Sequence, residues 1–299
     1  MSEHFECPIC ASTSFSPLPL RTDAACNKEF TYRICNTCRL VCADPIPTKK
    51  ESHIIYSQVF DYSWYQKVAF FKKVQAQKRI KIVTPVLCLK SKILDIGSGH
   101  GYFVNALRNN GYLAYGFEPD GGAIISLQNH IFRASSLLSI PETFDIITLW
   151  HSLEHFNDLS TSLQQIKKLL KPNGILIIAV PNFDSIGQSK RAGEWVWLQQ
   201  SYIHIWHFND ENLSALLNKE GFTPNKLFTR DTWDAQLYDY TKFFYITLLL
   251  YRLFFRKVDI AIIESYVRLL TLPLSILLNI TLFKFLNNGS ELVVIAQSK

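Results

Sequence analysis

The stretch Lys92 to Phe103, KILDIGSGHGYF, constrains this chain more than any other. Apolar Ile93, Leu94 and Ile96 surround Asp95, the glycines Gly97, Gly99 and Gly101 follow, and an apolar, helix-compatible run extends from Tyr102 to Leu107. That order predicts a buried strand, a tight turn and a helix start. Glycine at alternate positions lets the backbone take positive φ and lets a ligand approach where a Cβ would clash. The helix N-terminus then offers free N–H groups to a carboxylate or phosphate. By itself such a turn suits an ordinary strand-to-helix connection as well as a cofactor site.

The neighbouring segments extend the pattern. Leu113 to Phe117 reads as a second strand ending at Glu118, about where an α/β site places an acid for ribose hydroxyls. A carboxylate there accepts two hydrogen bonds from a vicinal diol. A helix is expected from Ala123 to His130 and a third strand near Ile131 to Ser135. Phe144 to Trp150 is nearly continuously apolar, as an inner parallel strand must be when both faces are covered. It stops at His151-Ser152-Leu153-Glu154-His155, beyond a strand's carboxyl end, where ligands sit in open α/β sheets. Asn157 or Asp158 can cap a helix from Leu159 to Leu170, which Lys171-Pro172-Asn173-Gly174 breaks before a fifth strand, Ile175 to Val180. Pro181-Asn182 opens a loop over the same edge. Asn209 or Asp210 caps a helix to Lys219 that Gly221 terminates, and Phe222 to Thr229 and Glu291 to Gln297 read as the sixth and seventh strands.

The runs DIGSGHG, YGFEPD, FDIITLWHSLEHFND and LLKPNGILIIAVPN, in this order, resemble the class I S-adenosylmethionine-dependent methyltransferases, particularly the ubiquinone-biosynthesis-type and sugar methyltransferases. The resemblance is close from Lys92 to Asn182 and looser towards both ends. A dinucleotide-binding Rossmann enzyme is the rival, but its usual turn is G-x-G-x-x-G, whereas this chain has G-x-G-x-G. The resemblance implies a Rossmann-like α/β fold whose seven-stranded sheet is mostly parallel, with the last two strands forming an antiparallel hairpin. It implies S-adenosylmethionine bound by Asp95, Gly97, Ser98, Gly99, Gly101, Tyr102, Phe103, Glu118, Pro119, Trp150 and His151. Relatives place an adenine-binding acid after the third strand. This chain has Ala134-Ser135-Ser136-Leu137, so Ser136 and Leu137 are the candidates for that contact.

All seven cysteines except Cys88 lie before Ala43. Cys7-Pro-Ile-Cys10 and Cys35-Asn-Thr-Cys38 form paired C-x-x-C knuckles that can hold one tetrahedral zinc. Four thiolates would close the coordination shell and make the ion structural. Cys26 and Cys42 are spare, and Cys42 is close enough to the second knuckle to be an alternative ligand. The expected organisation is a zinc-ribbon-like module at 1–44, too poor in core to fold readily without its ion, linker and cap helices at 45–90, and a methyltransferase domain at 91–299. Ser52 to Tyr65, with Tyr56, Phe60, Tyr62, Trp64 and Tyr65, suits either a cap on the cofactor pocket, as the resemblance implies, or packing between module and domain. From Gln66 to Ile82, Val68, Phe71, Val74 and Lys78 mark helical spacing, and Lys67, Lys72, Lys73, Lys78, Arg79 and Lys81 supply a solvated basic side. Pro85 ends that helix.

The loop from Phe183 to Phe208 holds Trp195, Trp197, His204, Trp206 and His207, a density that suits a substrate wall or lid more than a core strand. If the acceptor of the methyl group is a hydroxyl, a base is useful, and His155 is the first candidate because imidazole titrates near neutral pH. His151, Glu154, His204 and His207 compete with it. The expected acceptor is a small or lipid-linked metabolite, glycan precursors and quinones among the candidates, modified on oxygen or carbon. A non-catalytic scaffold that keeps the fold is the competing reading.

An apolar helical insert is expected at 241–286. Its runs FFYITLLLYRLFF and LLTLPLSILLNITLF fall short of the roughly 18 to 20 residues that cross a bilayer. Arg252, Arg256, Lys257, Arg268 and Lys284 outnumber Asp259 and Glu264, which suits peripheral contact with the inner face of an anionic membrane. A helical hairpin packed on the domain, or in a dimer, is the alternative. The net charge of +6, without basic runs interleaved with aromatics, excludes nucleic acid as the expected partner. MSEHFECPIC lacks the apolar run of a secretory leader, so a cytoplasmic location is expected.

Overall fold

A computed structural model describes residues 5–59, 69–88, 90–119, 130–132, 136–185, 196–198, 201–230 and 289–299. Outside them lie the expected insert 241–286, the aromatics Phe60, Tyr62, Trp64 and Tyr65, the side chain of Tyr56, Trp195, the end of the third strand and nearly all of the helix expected from Ala123.

Two sheets organise the described residues. The larger is built from β4 (Lys92–Ile96), β5 (Leu113–Phe117), β6 (Ile131–Phe132), β7 (Phe144–Trp150), β8 (Leu170–Pro181), β10 (Phe222–Arg230) and β11 (Glu291–Ser298) in the order β10-β11-β8-β7-β4-β5-β6. β5, β4, β7 and β8 run parallel, whereas β11 is antiparallel to both β8 and β10. The expected terminal hairpin is present, and the reversed strand is β11. Alternation along the strands gives the sheet two apolar faces. Leu94, Ile96, Ile147, Leu149, Leu176 and Ile178 belong to one cluster, with α4 (Leu159–Leu169) and α5 (Asp210–Lys219). Ile93, Ile146, Ile177 and Val293 belong to the other, with α2 (Ala69–Val83) and α3 (Tyr102–Asn109).

The second sheet joins β1 (Phe15–Ala25), β2 (Lys28–Cys35) and β3 (Val41–Asp44) to β9 (Trp206–His207), all antiparallel. β9 corrects the expectation of a lid over this part of the 183–208 loop. Trp206 and His207 are buried and pair with Cys42 and Val41, a partnership across the whole domain that carries no local signal. Tyr32, Leu40, Val41 and Ala43 of the amino-terminal sheet share one apolar cluster with Leu94 and Ile147. The core of the amino-terminal segment is thus completed by the larger domain. α1 (Lys49–Val59) follows it, and Asn157 Nδ2 ties this linker down by donating to Pro47 O and Ser52 Oγ at 2.7 and 2.8 Å.

Two local expectations need correction. α2 buries Gln75, Ala76, Ile80 and Val83. Phe71 and Val74, expected to face inward, are 43% and 39% exposed, and Phe70 is 71% exposed. Packing on α3 selects the stripe containing small Ala76, because it lets the helices approach. The Lys171–Gly174 segment is part of β8: Phe144 pairs with Leu170 and Ile146 with Ile175, so the extra residues bulge out, with Asn173 at φ 59°.

Candidate functional site

The glycine turn lies at the carboxyl edge of β4, with Gly97, Gly99 and Gly101 at φ of 74°, 52° and 69°. Gly97 N and Ser98 N donate to Phe117 O at 2.8 and 3.2 Å, which couples the turn to the end of β5. A Cβ at Gly97 would overlap Ser152 Oγ, itself donated to Ile96 O at 2.9 Å. Above Gly99 there is open space within 4 Å of where a Cβ would be. Gly99 N donates to Glu118 Oε2 at 2.8 Å, so the acid that ends β5 is held against the turn. These are the features of a cradle for a ligand carrying a diol: a carboxylate fixed at one side and backbone with no side chain in the way.

The other residues expected around a cofactor divide into two groups. Asp95 is buried, accepts from Thr148 Oγ1 at 2.7 Å and lies on the sheet face covered by α2 and α3. Burial lifts its carboxyl to about 7 against the opposing pull of Thr148 and Arg79. Phe103 and Trp150 are also buried there, their rings 5.5 Å apart, with the Arg79 guanidinium 5.0 Å from the Trp150 ring. Their side chains serve packing, so of these residues Tyr102, half-buried at the first turn of α3, remains nearer the turn's surface. Ser136 Oγ is engaged by Leu138 N at 3.2 Å and Leu137 is buried, while Pro119 is exposed beside Glu118.

Beyond β7 the histidines separate by environment. His151, at φ 55°, places Nε2 2.7 Å from Glu291 Oε1 and Nδ1 3.3 Å from Glu154 Oε1, and its ring stacks on Trp197 at 5.1 Å and 11°. Burial pulls its pKa down, but Glu154 and Glu291 outweigh that and raise it to about 9. Glu291 is held near 2 against burial by His151 and by Arg230, with which it forms a close ion pair. With a carboxylate at each ring nitrogen, His151 is a fixed cation and a poor base. His207 is the opposite case: buried beside Tyr32 and Phe183, it is driven down to about 3 by desolvation and the nearby His155, and lies in the packing between the two sheets.

His155 is half-buried, donates Nδ1–H to Ile203 O at 2.8 Å and presents Nε2 3.9 Å from the buried Glu154 carboxylate. The His204 ring lies 5.0 Å from it. Ile205 N donates to Glu154 O and Trp206 Nε1 to Phe156 O, at 2.9 and 2.6 Å, so β9 fixes the turn carrying Glu154 and His155. Glu291, Arg230 and Thr148 escaped the sequence reading; Glu291 and Arg230 reach the site only through the pairing of β10 with β11.

The sulfurs of Cys7, Cys10, Cys35 and Cys38 lie within 4.8 Å of one another. The two knuckles are built alike: Ala11 N donates to Cys7 O and Arg39 N to Cys35 O, and both Ala11 and Arg39 have positive φ. Convergent thiols on matched turns fit a tetrahedral ion. Cys42 is outside this group; it is buried beside Arg33, and burial pushes its thiol to about 12. Cys26 Sγ is 4.0 Å from Glu51 O instead.

Comparison with known proteins bears on the family and the fold. The ubiquinone biosynthesis O-methyltransferase of Rhodopseudomonas palustris (strain HaA2) is 26% identical over 155 residues, covering 47% of this chain and 61% of that protein. That of Azorhizobium caulinodans is 28% identical over 153 residues, covering 46% and 60%. The chain thus spans about three fifths of the length of these curated relatives. A crystal structure of an S-adenosylmethionine-dependent methyltransferase from Archaeoglobus fulgidus superposes with a TM-score of 0.51 at 17% identity, over 80% of this chain and 100% of that one, which establishes the shared fold. Residues 61–227, more than half of the chain and including the glycine turn, Glu118 and the 151–155 turn, match the sequence model of the methyltransferase domain family, and the protein belongs to that family.

Proposed function

We propose that the chain is an S-adenosylmethionine-dependent methyltransferase acting on a small or lipid-linked acceptor, with oxygen as the methylated atom. The observation that carries this reading is the Gly99 N–H held on Glu118 beneath open space, a carboxylate poised for a ribose diol. The names of the curated relatives favour oxygen, and a quinone-like or glycan precursor with a free hydroxyl suits that choice. The backbone of Gly97 to Gly101 would hold the methionine part and Glu118 the ribose. S-adenosylmethionine supplies an electrophilic methyl on a sulfonium, so the protein's task is to align acceptor and donor.

His155 is the base in this reading. Its Nδ1–H is fixed on Ile203 O, which leaves Nε2 as the proton acceptor, and Glu154 at 3.9 Å favours the imidazolium that forms. A structural zinc on Cys7, Cys10, Cys35 and Cys38 completes the proposal.

The test uses purified zinc-loaded protein, methyl-labelled S-adenosylmethionine, and lipid and polar metabolite extracts. Label should enter an acceptor, and His155→Ala should lower turnover by about 10²-fold or more while donor binding is kept. Absence of transfer to any fraction argues for a scaffold, and full turnover by His155→Ala removes the base.

A further inference from the structure

The amino-terminal half of α2 presents apolar side chains outward. Phe70 is 71% and Val74 39% exposed, on adjacent turns of one helix, and Phe71 beside them is 43% exposed. The helix, AFFKKVQAQKRIKIV, has five basic residues and no acidic one, and Lys73, Lys78 and Lys81 are exposed. Aromatic and basic side chains together on a helix surface suit the boundary between acyl chains and anionic headgroups.

Topology places this surface at the functional edge. The carboxyl end of α2 leads into the amino end of β4, so the helix runs back against the strand. Arg79 already lies over the Trp150 ring at the carboxyl end of β7. Phe70 is more than two helical turns further in the same direction, at about 1.5 Å per residue, which carries it towards the carboxyl edge of the sheet.

Charge decides between occupants. A second copy would set this basic helix against its own like, and the apolar segment 241–286 is itself net basic, with Arg252, Arg256, Lys257, Arg268 and Lys284 against Asp259 and Glu264. An anionic lipid surface complements both the rings and the lysines.

We propose that the outer face of α2 around Phe70, Lys73 and Val74 docks the protein on an anionic bilayer, with the carboxyl edge of the sheet turned towards the lipid. The inference goes beyond the catalytic reading, since docking needs no methyl transfer. A lipid-linked acceptor would nevertheless meet the site from that side.

The test is co-sedimentation of the full zinc-loaded chain with phosphatidylcholine vesicles, with and without phosphatidylglycerol. The chain should bind the anionic vesicles, and less so at high salt. Phe70→Gln with Val74→Gln, and separately Lys73→Glu with Lys78→Glu, should each weaken binding about tenfold or more, with the melting temperature and S-adenosylhomocysteine affinity retained. Should the apolar pair disturb folding, the exposed charge pair decides alone. The proposal is overturned if the native chain stays in the supernatant, or if both variants bind like it, which would make 241–286 the anchor. It is also overturned if the apolar pair dissociates a native dimer without vesicles, which would make a second copy the occupant. Loss of S-adenosylhomocysteine binding by the native chain bears on the catalytic reading and leaves vesicle binding as an independent result.

Discussion

Glu291 Oε1, at the start of the last strand, lies 2.7 Å from Nε2 of His151 at the end of β7; the glutamate is buried and the imidazole half-buried. The contact joins the two ends of a long excursion to the site, because Arg230, the last residue of β10, pairs with the same carboxylate. Removing one partner of a buried ion pair leaves the other charge uncompensated, at a cost of about 3 to 5 kcal/mol. Glu291→Gln should therefore destabilise the protein by about that amount in urea unfolding.

The same contact sets a pH window. The His151 ring keeps its proton to about 9 in the folded chain against 6.5 when unfolded, so its contribution is complete below 6.5 and is lost as pH rises through 9. For Glu291, lowered from 4.5 to about 2, the contribution is complete above 4.5 and is lost as pH falls through 2. Stability should fall between neutral pH and pH 9 in the native chain and less steeply in Glu291→Gln. Following the His151 ring by NMR should show no titration near 6.5, and an ordinary midpoint there would refute the fixed cation.

Asp95 predicts a further loss of stability with rising pH, over a lower interval. Burial raises its carboxyl from 3.8 to about 7, so ionisation penalises the folded state increasingly as pH climbs across that interval. Asp95→Asn can keep the bond with Thr148 and should gain stability relative to the native chain between pH 4 and pH 8. A difference that does not change with pH would show that Asp95 is already ionised without cost.

Gly97 has no room for a side chain. Alanine there would press on Ser152 and adopt a φ of 74°, so Gly97→Ala should cost about 2 kcal/mol or more and weaken donor binding. Adding Ser152→Ala removes the nearer clash and should recover part of the loss, although the Cβ of residue 152 still lies 2.9 Å away. Full tolerance of Gly97→Ala would mean that the turn relaxes freely.

Metal analysis should return about one zinc per chain, lost on Cys38→Ser. Because Cys7, Cys35 and Leu40 share a cluster with Leu94 and Ile147, chelation should lower the melting temperature of the whole protein. Two separate transitions, with only the first sensitive to chelator, would contradict a common core.

Much of this was legible in the chain because the signals were local. β7 ends where its apolar run ends, Asp158 caps α4 through Thr161 N, and the matched C-x-x-C pairs meet. What could not be read depended on partners distant in sequence. The exposed Phe71 and Val74 were indistinguishable from a core stripe until α3 selected Ala76, Ile80 and Val83. Trp206 and His207 looked like a loop because the strand they complete belongs to the amino-terminal sheet. Nothing near His151 announces Glu291, 140 positions later.

Calorimetric titration of the zinc-loaded chain with S-adenosylhomocysteine, beside Glu118→Ala, tests the central claim most directly. The native chain should bind one equivalent, and the variant should bind at least about tenfold more weakly with a similar melting temperature. No binding by the native chain, or equal binding by the variant, would contradict a donor site built on the glycine turn and Glu118.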